Sequence, residues 1–81
     1  MINISLTLNQ KPGENYYVTA RVQEWEMGVF VANHATLQGV VEDTQRQLTQ
    51  ALKERCVGSK EKILISAPAE IVGLMGDLSK R

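Results

Sequence analysis

Eighty-one residues suffice for one domain, and 1–81 is read as a single small unit. Nine Lys and Arg balance nine Asp and Glu, for a formal net charge of zero, which excludes a global field that would draw the chain onto nucleic acid or a membrane. One cysteine and one histidine exclude an intrachain disulfide and a closed zinc site, which takes about four Cys or His ligands.

Ile2, Ile4, Leu6 and Leu8 alternate with Asn3, Ser5, Thr7 and Asn9, a period of two that predicts a strand over 2–9 with one buried and one wet face. Lys11-Pro12-Gly13-Glu14 follows. Proline presets φ and glycine accepts positive φ, so this tetrad suits a turn between antiparallel strands. From Asn15 to Gln23 the alternation resumes, with Tyr16, Val18, Ala20 and Val22 on one face and Tyr17, Thr19 and Arg21 on the other. Glu24-Trp25-Glu26-Met27-Gly28 breaks the pattern as a turn or bulge, and Val29 to Ala32 is a short third strand.

Leu37, Val40, Val41, Thr44, Leu48, Ala51 and Leu52 then recur at helical spacing, forming one apolar stripe. This predicts a helix over 37–56 with Thr36 as N-cap and Gly58 as C-terminal stop. Its stripe is expected to pack on Ile4, Leu6, Val18 and Ala20. Ile63 to Ile65 is a fourth strand. Pro68 opens a second helix carrying Ile71, Leu74, Met75 and Leu78, weakened by Gly73 and Gly76 at about 1 kcal/mol each relative to alanine. The fold class is therefore α+β, in the order β-β-β-α-β-α. A helical crossover lets the fourth strand pair in parallel with the first, for a sheet order of 3-2-1-4 with both helices on one face.

The run Tyr16-Tyr17-Val18-Thr19-Ala20-Arg21-Val22, followed by Ala35-Thr36-Leu37 leading into a long amphipathic helix, resembles the HicB family of antitoxin-like domains. The resemblance covers Asn15 to Leu52 and implies a truncated ribonuclease-H-like β-β-β-α-β unit. Residues 67–81 are too short for the DNA-binding segment common in that family, so DNA binding is not implied. The small size and neutral charge are also similar to those of small prophage-encoded proteins.

No catalytic set emerges. Ribonuclease-H-type nucleases need clustered carboxylates for two metals, one of them on the first strand, where this chain has Asn3, Ser5 and Thr7. Glu42-Asp43 is an adjacent acidic pair on a helix and reads as surface. His34 and Cys56 flank the long helix, whose 1.5 Å rise per residue holds them roughly 30 Å apart. His34 reads as a loop or capping residue, and Cys56 as packing at the helix end. No phosphate-binding glycine loop and no cofactor site is expected. Met1-Ile2-Asn3-Ile4 lacks the form of a secretory signal, and a cytoplasmic setting without membrane attachment is expected.

What remains is surface. Tyr17, Arg21 and Phe30 are placed on the uncovered sheet face, with Trp25 in the adjoining loop as an exposed anchor or a lid on the core. Tyr, Trp and Arg are common anchors of protein interfaces, which points to a non-enzymatic interaction module. Its partner is another protein or, through the free edge of the third strand, a second copy. The alternative is a small nucleic-acid binder that stacks bases on Tyr17 and Phe30 beside Arg21.

Overall fold

The computed structural model describes residues 1–58 and 60–75. Four strands, β1 (Ile2–Gln10), β2 (Tyr16–Val22), β3 (Val29–His34) and β4 (Ile63–Ser66), form one sheet. Its order is β3-β2-β1-β4. β1 and β2 pair antiparallel with Leu6 opposite Ala20, β2 and β3 antiparallel with Ala20 opposite Phe30, and β1 and β4 parallel with Ile4 opposite Ile65. Helix α1 (Leu37–Glu54) crosses from β3 back to β4, and the short α2 (Ala69–Val72) follows β4. The protein has the α+β architecture and strand order that the residue pattern predicts.

The β1–β2 connection is set by local chemistry. The Glu14 N–H donates to the Lys11 carbonyl at 2.9 Å, and Gly13 sits at φ +79° directly after Pro12, the pattern of a type II turn. Gly28 answers a different need. A Cβ there would lie 2.6 Å from the Val22 carbonyl oxygen, because the Val22 N–H donates to the Gly28 carbonyl where β2 leaves for β3.

One core joins the sheet to the helices. Ile2, Ile4, Leu6, Val18, Ala20, Val22 and Ala32 from the strands meet Val40, Val41, Leu48 and Leu52 from α1, and Ile71 from α2. The stripe of α1 is buried as its periodicity predicts, but the helix lies over β3 and β2 above all rather than over the expected β1 and β2, because it leaves directly from β3. Its buried Thr44 hydroxyl donates to the Val40 carbonyl one turn earlier, at 2.7 Å, so no polar group there is left unpaired. Thr36 caps the helix, accepting from the Gly39 N–H at 3.0 Å.

The C-terminus of α1 differs from expectation. The left-handed residue is Cys56, at φ +56°, and the helix stops before Gly58 is reached. The Val57 N–H donates to the Leu52 carbonyl and the Cys56 N–H to the Lys53 carbonyl, both at 3.0 Å. These paired bonds make a Schellman motif, and Val57 packs against the core beside them. Closing those carbonyls and burying Val57 offsets the steric cost of a side chain in the left-handed region. Helix α2 is a single turn, with Ile71 buried and Leu74 exposed. Leu78, expected on its stripe, lies outside the described residues. No helix among the described residues is long and apolar enough to cross a membrane.

Candidate interaction surface

Helices cover one face of the sheet, and the strand register decides which side chains line the other. Row by row, Arg21 lies between Ser5 and Val29, Thr19 between Thr7 and Val31, and Tyr17 between Asn9 and Asn33. Asn3 pairs with Leu64 and Ser5 with Ser66 at the β4 side. Tyr17 is 46% exposed, Val29 50%, Val31 53% and Leu64 43%. Arg21 is exposed and takes part in none of the ion pairs among the described residues. The uncovered face thus carries Tyr17, Val29, Val31, Leu64 and Arg21 among short Ser, Thr and Asn side chains.

The polar end of this face is closed internally. Glu24 accepts from both the main-chain and the side-chain N–H groups of Asn3, each at 2.8 Å. The main-chain bond from Asn3 is the largest reason its carboxyl titrates below the ordinary glutamate range, followed by the side-chain bond. Gln23 donates to the Ser5 hydroxyl at 3.3 Å. These contacts pair Asn3 and Ser5 with Glu24 and Gln23 of the β2–β3 loop and leave Tyr17, Thr19, Arg21, Val29 and Val31 outward.

Two residues expected on this surface belong elsewhere. Phe30 is opposite Ala20 in the register and packs, partly buried, against the core; it faces the helices. Val29 and Val31 take the outward places, because the Val22–Gly28 pairing fixes the parity of β3. Trp25 closes the core rather than standing out as an anchor. Its ring meets Phe30 edge-to-face, with centroids 6.5 Å apart and planes at 79°. The Arg55 guanidinium lies over the Trp25 ring, 4.1 Å from its centroid. Loop, strand and helix end are joined there by an aromatic and cation–π stack.

A polar cluster joins the end of β3 to the first half of α1. His34 is the last residue of β3, not a loop residue, and its Nε2 lies 3.3 Å from Asp43 Oδ2. Asp43 also binds Arg46 through its other oxygen and accepts from Gln47 at 3.4 Å. Asp43 is therefore partly sheltered rather than a plain surface acid. Burial alone would raise its pKa, but the bonds from His34, Arg46 and Gln47 and the Arg46 charge outweigh it and hold the carboxyl below the ordinary aspartate range. A group depressed in this way contributes stability above its unfolded pKa and loses it as pH falls through the folded value. Asp43→Asn is expected to cost about 1 kcal/mol at neutral pH. It should also remove part of the fall in stability below about pH 4. Denaturant unfolding across pH 2–7 checks this, and parallel pH profiles for the two proteins would count against it.

This cluster has no nucleophile within its set. Cys56 is exposed just beyond the C-terminus of α1, about 20 Å from Asp43 along the helix axis at 1.5 Å per residue. Among the described residues no group of three or more His, Cys, Asp or Glu is placed to hold a metal ion. A depression of about 590 Å³ on the outer side of α1 is lined by Glu42, Gln45, Arg46, Thr49, Gln50 and Lys53, side chains of an exposed helix face with no thiol or imidazole among them.

No protein-family model matches the chain. No curated protein is significantly similar to it either.

Proposed function

We propose that the chain is a non-enzymatic protein-interaction module that takes a protein partner on the uncovered face of its sheet. The observation that carries this reading is that Tyr17, Val29 and Val31, each close to half exposed or more, share the face opposite the helices with Arg21, which lies directly across from Val29. Exposed valines on a sheet gain by burial against a partner, and Tyr and Arg supply anchors that combine apolar area with directed polar contacts. The complementary partner has an apolar patch with a carboxylate opposite Arg21. The shared β-β-β-α-β order supports kinship with HicB-like domains, which we propose for the fold alone.

The nucleic-acid reading loses one of its two stacking rings once Phe30 faces the helices. Tyr17 remains, with Arg21 on the same face two rows along β2, about 13 Å away at 3.3 Å per residue, and one cation neutralises few phosphates. The test is affinity capture from the native host with the wild-type chain, Tyr17→Ala and Val31→Lys, alongside a titration of single-stranded DNA and RNA at two salt concentrations with the wild-type chain, Tyr17→Ala and Arg21→Ala. The expected result is a protein retained by the wild type and lost from both variants, with weak or undetectable nucleic-acid binding at physiological salt. Submicromolar binding that falls steeply with salt and is lost in Tyr17→Ala and Arg21→Ala would overturn the proposal in favour of a nucleic-acid binder.

A further inference from the structure

The sheet has two edges, β3 and β4, and they are finished differently. The Val22–Gly28 bond and the alternation of an antiparallel ladder turn the main-chain groups of Val29, Val31 and Asn33 outward on β3. That edge is partly occupied, because Gln47 of α1 donates its side-chain N–H to the Val31 carbonyl at 3.1 Å. A side chain there takes the place a neighbouring strand would fill, a common protection for an edge.

On β4 the Ile2 N–H donates to the Lys62 carbonyl at 2.8 Å, and Ile2 is in register with Ile63. In a parallel pair this turns the main chain of Lys62, Leu64 and Ser66 toward β1 and that of Ile63 and Ile65 outward. Among the described residues no side chain bonds these outward groups. The strand is mostly aliphatic, with Leu64 exposed on the uncovered face and Ile63 and Ile65 half-buried on the other.

We propose that a second copy of this chain pairs antiparallel with the outer edge of β4, with the two-fold axis at Leu64. The register is self-complementary. Ile63 of one copy exchanges both main-chain bonds with Ile65 of the other, and the symmetric pair does the same. Leu64 then faces Leu64 across a non-hydrogen-bonded position, and Lys62 faces Ser66. Charge agrees with this direction. Lys60 and Lys62 precede β4, Glu70 follows it in the first turn of α2, and none of the three is in an ion pair among the described residues. Antiparallel pairing brings the lysine end of each copy beside the Glu70 end of the other, whereas parallel pairing sets like ends together. The product is a continuous eight-stranded sheet. This association is independent of the partner proposed for the uncovered face, since a monomer would present that face as well.

The test combines sedimentation of the full chain with site-directed cross-linking. Leu64→Cys in a Cys56→Ser background places two thiols on Cα atoms about 4.5 Å apart, within reach of a disulfide. The expected results are a wild-type dimer at tens of micromolar, at least tenfold weaker dimerisation for Leu64→Lys, and near-complete cross-linking of Leu64→Cys under mild oxidation. Val31→Cys in the same background is expected to remain uncross-linked. A wild-type chain that is monomeric at millimolar concentration would overturn the proposal. So would dimerisation unaffected by Leu64→Lys, or cross-linking at Val31→Cys and not at Leu64→Cys, which would assign the contact to the β3 edge.

Discussion

Leu48→Ala is expected to cost about 2–5 kcal/mol of folding stability, the range for emptying a fully buried leucine site. Leu48 has no exposed surface and lies midway along the buried stripe of α1, where that helix crosses β2 and β3. The strands beneath are held by their ladders and the helix by its own turns, so neither can close fully over the lost methyl groups. Domains of this size have only about 5–10 kcal/mol to lose, and the variant should be partly unfolded at physiological temperature. Urea denaturation at 25 °C gives the number. A cost below about 1 kcal/mol would mean that the Leu48 side chain is not enclosed as described. Gln45→Ala on the outer face of α1 serves as the control, expected to change stability by less than about 0.5 kcal/mol.

The elements that could be read from the residues are those in which one periodicity dominates. β1 alternates without exception from Ile2 to Asn9, and each of Ile2, Ile4 and Leu6 is buried. The stripe of α1 left a single face to bury. β3 is different, because Val29, Phe30, Val31 and Ala32 are all apolar and the alternation carries no information about which face is inside. Its parity comes from the loop, through the Val22–Gly28 hydrogen bond and the space only glycine leaves there. For this reason Phe30 was assignable to the wrong face, and with it the second ring of the expected binding surface. The end of α1 is hidden for a related reason. A left-handed C′ position normally shows itself as glycine or asparagine, and here a cysteine occupies it. The His34–Asp43 pair joins residues nine positions apart that only the turn from β3 into α1 brings together, and no sequence period marks it. Tyr17 and Arg21 are legible because β2 alternates cleanly, with Tyr16, Val18, Ala20 and Val22 sharing the inward side.

Ile71→Ala is expected to have the second large effect, and a different character from Leu48→Ala. Helix α2 has four residues, begins after Pro68 without a side-chain cap, and is far too short to persist without tertiary contacts. Val72 and Leu74 are exposed. Its hold on the domain is therefore Ile71, which has no exposed surface, helped by Ala67 and Met75 packed partly against the core. Truncating Ile71 removes about 2–4 kcal/mol of burial. The domain can limit that loss by letting α2 detach while the sheet and α1 stay folded, a route closed to Leu48. The native state of the variant then buries less surface, so its urea m-value should fall together with the midpoint. Hydrogen exchange supplies the local readout. The amides of Ile71, Val72 and Met75, which donate to carbonyls within 68–71, should lose protection in the variant, while those of β1 and β2 keep theirs. A midpoint shifted with an unchanged m-value and unchanged exchange at those amides would mean that α2 unfolds only with the whole domain. A midpoint that does not move would mean that Ile71 is not part of the core.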